Sequence, residues 1–223
     1  MGLGMRLAFH FAIYQDEPLA LRLAGQIRAL YPTADIVAIC DGPADTDACQ
    51  QLMSQQGVIV CEGEHLKQWG MGGASAHRNL QAVLGETSAE LFIQLDPDSY
   101  LWRAFRSFPE ADWFGQCHYS HCTMYPRVPM GCLHGAAWGM RREMAAAAVE
   151  RELLLDPLYS TSKMLWAYPL ARDSKRFVPR LDLIWGNVAA ELGVTPTCWP
   201  EVSGGLMAGA HNTYDWAVTH PVL

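Results

Sequence analysis

The sequence predicts an α/β protein with a mostly parallel central sheet, helices on both of its faces, and a less regular second half. Three observations predict it. Short apolar runs alternate four times with longer segments of helical periodicity before residue 100. The runs are bounded by Gly, Pro, Asp and Ser, the residues that make turns. Acidic residues stand just after the second and fourth runs, at Asp41 and Asp96, and an open parallel sheet binds its ligands at the carboxyl ends of its strands.

Each element has its own justification. Leu7 to Tyr14 is apolar and aromatic and has the length of a buried strand. Pro18 then opens a helix carrying Leu19, Leu21, Leu23, Ile27 and Leu30. Asp35-Ile36-Val37-Ala38-Ile39-Cys40 repeats the strand signature and ends on the turn Asp41-Gly42-Pro43, with a helical segment over 44–56. Val58 to Cys61 is a third strand, followed by a loop with Trp69, Gly70, Gly72 and Gly73 and a helix from Ser75 to Leu84. Residues 90–95 form the fourth strand. Beyond residue 100 aromatics, Cys and His crowd 102–138. Helices are expected over 141–154 and 182–192, and Trp216-Ala217-Val218 has the character of a short strand.

Composition narrows the function classes. At 223 residues, 50% hydrophobic and 17% charged, the chain has enough core for one domain over 1–223. A net charge of −7 gives no long-range attraction for nucleic acid. Seven cysteines, an odd number without a small-domain spacing, read as reduced thiols of a cytoplasmic protein. No run of apolar residues is long enough for a transmembrane segment, and the N-terminus lacks the pattern of a cleaved leader.

Asp96-Pro97-Asp98 carries the most chemistry. On an extended backbone residues i and i+2 project to one side, so both carboxylates would face one ligand. Such a pair suits Mg²⁺ or Mn²⁺, which a few carboxylates share with substrate phosphates. The plain alternative is a polar turn at a strand end. Asp41-Gly42-Pro43-Ala44-Asp45 sets carboxylates along the same edge, or simply caps a helix. Gly72-Gly73-Ala74-Ser75-Ala76-His77-Arg78-Asn79 is a small-residue turn entering a helix, where a phosphate can approach backbone N–H groups while Arg78 supplies charge.

Taken in order, Cys40-Asp41-Gly42-Pro43-Ala44-Asp45, Gly73 to Asn79 and Leu95-Asp96-Pro97-Asp98 resemble the GT-A glycosyltransferases, in particular those of family 2. The resemblance covers about residues 6–100 well. It implies a metal-dependent transferase that moves a sugar from a nucleotide-diphosphate sugar, UDP-sugars favoured, to an acceptor hydroxyl. Residues 1–100 would bind the donor and 101–223 the acceptor. Asp41 would then touch the base, Arg78 and Asn79 the base or diphosphate, and Asp96 with Asp98 the Mn²⁺ or Mg²⁺. Cys40 and Pro43 depart from the family turn, which has an acidic residue and Ser there.

An inverting member also needs a carboxylate base ahead of a helix in the second half. Asp182, in Arg180-Leu181-Asp182-Leu183-Ile184-Trp185, corresponds to it, with a helix cap as the plain reading. The resemblance also implies a His near the C-terminus as a third metal ligand, for which His220 is favoured over His211. Cys117, His118, His121 and Cys122, with Cys132 and His134 beyond, carry zinc-ligand types, but in a strand over 116–122 Cys117 and His121 would face one side and His118 and Cys122 the other. Trp102, Trp113, Trp138, Trp166 and Trp185 are candidates for stacking on sugars or for buried bulk. The competing functions are a sugar-phosphate nucleotidyltransferase and a non-catalytic nucleotide-sugar-binding module, with homo-oligomerisation left open.

Overall fold

The computed structural model describes residues 5–13, 16–40, 54, 57–63, 72–117, 133–155, 181–204 and 217–220. The elements run β1 (Leu7–Ile13), α1 (Glu17–Leu30), β2 (Asp35–Cys40), β3 (Ile59–Glu62), α2 (Gly72–Glu86), β4 (Leu91–Leu95) and β5 (Tyr100–Leu101). Then follow β6 (Trp113–Cys117), β7 (Leu133–Arg141), α3 (Arg142–Glu150), a 3-10 turn (Leu153–Leu155), α4 (Leu181–Glu191), β8 (Thr197–Cys198), β9 (Val202–Gly204) and β10 (Val218–His220). Seven strands form the main sheet in the order β3-β2-β1-β4-β7-β6-β8. Only β7 runs against its neighbours, so the sheet is mostly parallel.

Alternation along β1 sorts the core into two layers. Phe9, Phe11 and Ile13 face α1, whose Ala20, Leu23, Ala24 and Ile27 recur at helical spacing and are fully buried. Pro18 lies in the first turn of that helix, where its missing N–H costs nothing. Ala8 faces the other way, into a layer with Phe92, Trp138, Met140 and residues of α2, α3 and α4. Helices therefore cover both faces, as predicted. At the end of α4, Gly193 adopts a positive φ of 69° and stops the helix, with Val194 N–H donating to the Ala189 carbonyl.

The second half is more regular than its sequence implied. β6, β7 and β8 extend the main sheet, although β7 reads Leu-His-Gly-Ala-Ala-Trp-Gly-Met-Arg and lacks β-branched residues. Its glycines explain the fit. A Cβ on Gly139 would lie 2.4 Å from the Phe114 ring, so the ring occupies the space a side chain would need. The helix predicted over 141–154 ends at Glu150 and gives way to the 3-10 turn. The helical segment over 44–56 lies outside the described residues apart from Ser54, which is helical.

A second sheet of order β5-β10-β9 packs at the carboxyl edge. The short strand expected at 216–218 is found at Val218–His220, antiparallel to β5 and parallel to β9. Glu201 ties this sheet to the preceding loop: its carboxylate pairs with Arg103 at 2.6 Å and accepts the N–H groups of Arg106 and Ser107. Burial alone would raise the Glu201 carboxyl, but these donors hold it below the usual range. No helix among the described residues is long and apolar enough to cross a membrane.

One expectation is corrected. Cys198 is disulfide-bonded, while Cys40 and Cys61 are not in a disulfide. Seven reduced thiols therefore do not describe this chain, and a cytoplasmic placement loses the support it drew from them.

Candidate functional site

Strand order decides where a ligand can sit. The chain lays down β1, β2 and β3 in one direction across the sheet, then returns to place β4 on the other side of β1. At such a reversal the flanking connections leave on opposite faces, which opens a crevice at the carboxyl ends of the two strands. A pocket of about 200 Å³ occupies that place, lined by His10 and Ala12 of β1 and by Gln94 and Asp96 at the end of β4.

Register explains why these side chains meet. His10 pairs with Gln94 across β1 and β4, and Gln94 with Trp138 across β4 and β7, so one row crosses the sheet on the face that α2 and α4 cover. From α2 come Ser75, Ala76, Asn79 and Leu80, and from α4 comes Trp185. The His10 ring meets the Trp138 ring edge-on at 5.6 Å. His10 is only 3% exposed, and burial pushes its pKa down from 6.5 to about 4. The imidazole is therefore neutral at physiological pH.

Asp96-Pro97-Asp98 differs from its extended-backbone reading. Ser99 N–H donates to the Asp96 carbonyl at 2.9 Å, which closes a tight turn with Pro97 and Asp98 at its corners. Period-two alternation therefore stops at Asp96. Asp96 lines the pocket, whereas Asp98 lies half-buried in the turn beyond it. α1 fixes this turn from below: Arg22 Nη2 donates to the Ser99 carbonyl at 2.8 Å, and its guanidinium lies 5.4 Å from the Tyr100 ring centroid.

The remaining predicted residues fall into three groups. Asn79 lines the pocket, while Arg78, the preceding residue of α2, is half-buried and does not. Asp182 lies in the first turn of α4, one turn before Trp185, and its helix thus reaches the pocket. His220 ends β10. It pairs with Gly204 of β9, and the preceding Thr219 pairs with Tyr100 of β5, two residues past Asp98. The side chains of Asp182 and His220 are not described.

Asp41, Asp45, His211, Trp166 and His118 to Cys132 lie outside the described residues. β2, however, ends at Cys40, immediately before Asp41 and parallel to β1. Among the described residues no three His, Cys, Asp or Glu side chains gather as a metal site.

Of the tryptophans, Trp138 and Trp185 line the pocket and Trp113 is buried beside Trp185. Trp102 is 47% exposed, its ring centroid 4.3 Å from that of Tyr100 with the planes inclined at 41°, and its Nε1–H is donated to Thr219. Sequence reasoning missed His10 and Gln94. The signal was there: each is a lone polar residue inside an otherwise apolar strand, Leu-Ala-Phe-His-Phe-Ala-Ile and Leu-Phe-Ile-Gln-Leu.

No family model matches the chain. No curated protein matches it either. Among solved structures, it is similar to a galactosyltransferase, LgtC, crystallised in complex with donor and acceptor sugar analogues. The TM-score is 0.55 over 96% of this chain and 86% of that one, at 11% identity. That likeness is one of fold: the chain has the GT-A, Rossmann-like arrangement that its motif order predicted.

Proposed function

We propose that this protein is a glycosyltransferase that moves a sugar from a nucleotide-diphosphate sugar to an acceptor hydroxyl. The observation that carries the reading is the pocket at the β1/β4 reversal, with the Asp96-Pro97-Asp98 turn at its mouth. The motif set quoted above adds the family 2 character, with UDP-sugars as the favoured donors.

The donor set at the mouth suits a hard cation. Asp96 and Asp98 offer carboxylate oxygens, and β10, which ends at His220, pairs with the strand that follows their turn. These residues would hold Mn²⁺ or Mg²⁺, and the ion would supply charge neutralisation for the departing diphosphate. Asp182 is the candidate base for the acceptor hydroxyl, which makes the transfer inverting. Asn79 orients the ligand from α2, and the two pocket tryptophans keep water from the reacting groups.

Calorimetric titration of nucleoside diphosphates, with and without Mn²⁺, tests the reading. Metal-dependent binding of at least one diphosphate is expected, and donor turnover in Asp98→Ala should fall at least about 100-fold. Full metal-dependent turnover in that variant, or no diphosphate binding by the native protein, would overturn it. Release of pyrophosphate from a nucleoside triphosphate and a sugar phosphate would point to nucleotidyl transfer instead.

A further inference from the structure

Arg22 and Gln26 stand one turn apart on α1, so they share a face of that helix. Both reach the chain just past the aspartate turn. Arg22 Nη2 donates to the Ser99 carbonyl at 2.8 Å, and the Leu101 N–H donates to Gln26 Oε1 at 3.2 Å. The Ser99 N–H closes the turn on the Asp96 carbonyl, so Ser99 is held on one side by the turn and on the other by α1. The helix is a firm support, because its Ala20, Leu23, Ala24 and Ile27 are fully buried in the core.

The same grip extends to a second part of the site. Leu101 pairs with Val218 and Tyr100 with Thr219, so the segment that α1 holds also carries β10, which ends at His220. One helix face therefore sets the aspartate turn and the strand of the candidate third ligand relative to each other.

Stability gives a poor account of Arg22. Its half-buried guanidinium has the one hydrogen bond to Ser99 and lies 5.4 Å from the Tyr100 ring centroid, while its buried Nε has no partner among the described residues. The Ser99 hydroxyl is likewise buried and unpaired among them. A cation drawn partly out of water with a donor left over adds little to folding. What it does supply is a charge-assisted bond that fixes one backbone carbonyl.

We infer that Arg22 is a positioning residue, seconded by Gln26, that holds the Asp96-Pro97-Asp98 turn in the shape that receives a divalent cation. The inference rests on the glycosyltransferase reading for the cation and deepens it, because it names the support on which that site depends.

Amide hydrogen exchange of the full chain without metal, followed by NMR, is the first test. In Arg22→Met the Ser99 amide should exchange at least about 10-fold faster while the amides of β1 and β4 keep their rates, and Arg22→Lys, which keeps one donor, should recover part of the protection. An unchanged Ser99 rate, or a rise shared by all three elements, overturns the inference. The second test is Mn²⁺ binding in the presence of UDP or GDP, read from the electron paramagnetic resonance signal of the free ion. Arg22→Met should weaken Mn²⁺ about 10-fold at an unchanged number of sites. Native affinity, or fewer sites of native affinity, is what a merely structural residue would give and overturns the inference alone. Gln26→Leu should show the same two effects at about 3-fold, and it decides the matter if Arg22→Met does not fold: native values for both would overturn the inference. A native chain that binds no Mn²⁺ with either diphosphate would overturn the transferase reading and this inference with it.

Discussion

His10 carries a cost that depends on pH. Its folded pKa of about 4 lies below the value of 6.5 expected in the unfolded chain, and burial is the cause. The unfolded state therefore takes up the proton first as pH falls. The contribution of His10 is unchanged above pH 6.5, is lost progressively below it, and reaches its full deficit under pH 4. Urea unfolding of the native protein and His10→Phe, compared at pH 7.5 and 4.5, should isolate the effect. The native protein should lose about 2 to 3 kcal/mol more than the variant over that interval. Equal losses would mean that the imidazole does not titrate as a buried group. A lone His in an apolar strand was visible in the sequence. Its neutrality was not, because desolvation depends on α2 and α4 closing over that face.

At the scale of the element, β7 is where local sequence and structure part most clearly. Apart from Trp138 its residues have no strong strand preference, and Gly and Ala are depleted in strands, yet β7 lies between β4 and β6 and joins the two halves of the sheet. Its place depends on close approach. The Phe114 ring lies where a Cβ of Gly139 would be, and a Cβ on Gly115 would come within 3.0 Å of the Ala137 carbonyl oxygen. Gly139→Ala should destabilise the fold by about 1–3 kcal/mol, read as a lower denaturant midpoint at unchanged slope. Little or no change would show that the ring can withdraw. By contrast β1, β2 and β4 were legible, because β-branched and aromatic runs of strand length are ended by turn chemistry.

Over the whole molecule, the site draws on elements far apart in the chain. Asp96 ends β4, His10 lies in β1, Asn79 lies in α2, and α4 brings Trp185 from nearly ninety residues further on than Asp96. This separation makes the role of Asp182 testable apart from donor binding. Asp182→Asn should reduce kcat by about 10²- to 10⁴-fold while diphosphate affinity in Mn²⁺ stays the same, since α4 and the aspartate turn are separate supports. If affinity and kcat fell together, Asp182 would be acting as a structural cap for its helix.

The sequence by itself determined β1 to β4 with the helices α1 and α2, and with them a mostly parallel sheet with Asp96 just past the end of β4. Periodicity and turn chemistry are local, so they survive in a linear reading. Tertiary structure alone decided that the aspartate motif folds into a turn, that His10, Gln94 and Trp138 form one row, and that β7 completes the sheet against its own propensities. These are matters of register, close approach and desolvation. Each depends on which distant segment arrives alongside, and that is why a reading of neighbours along the chain singled out Asp96 and Asn79 of the pocket lining but not His10 and Gln94.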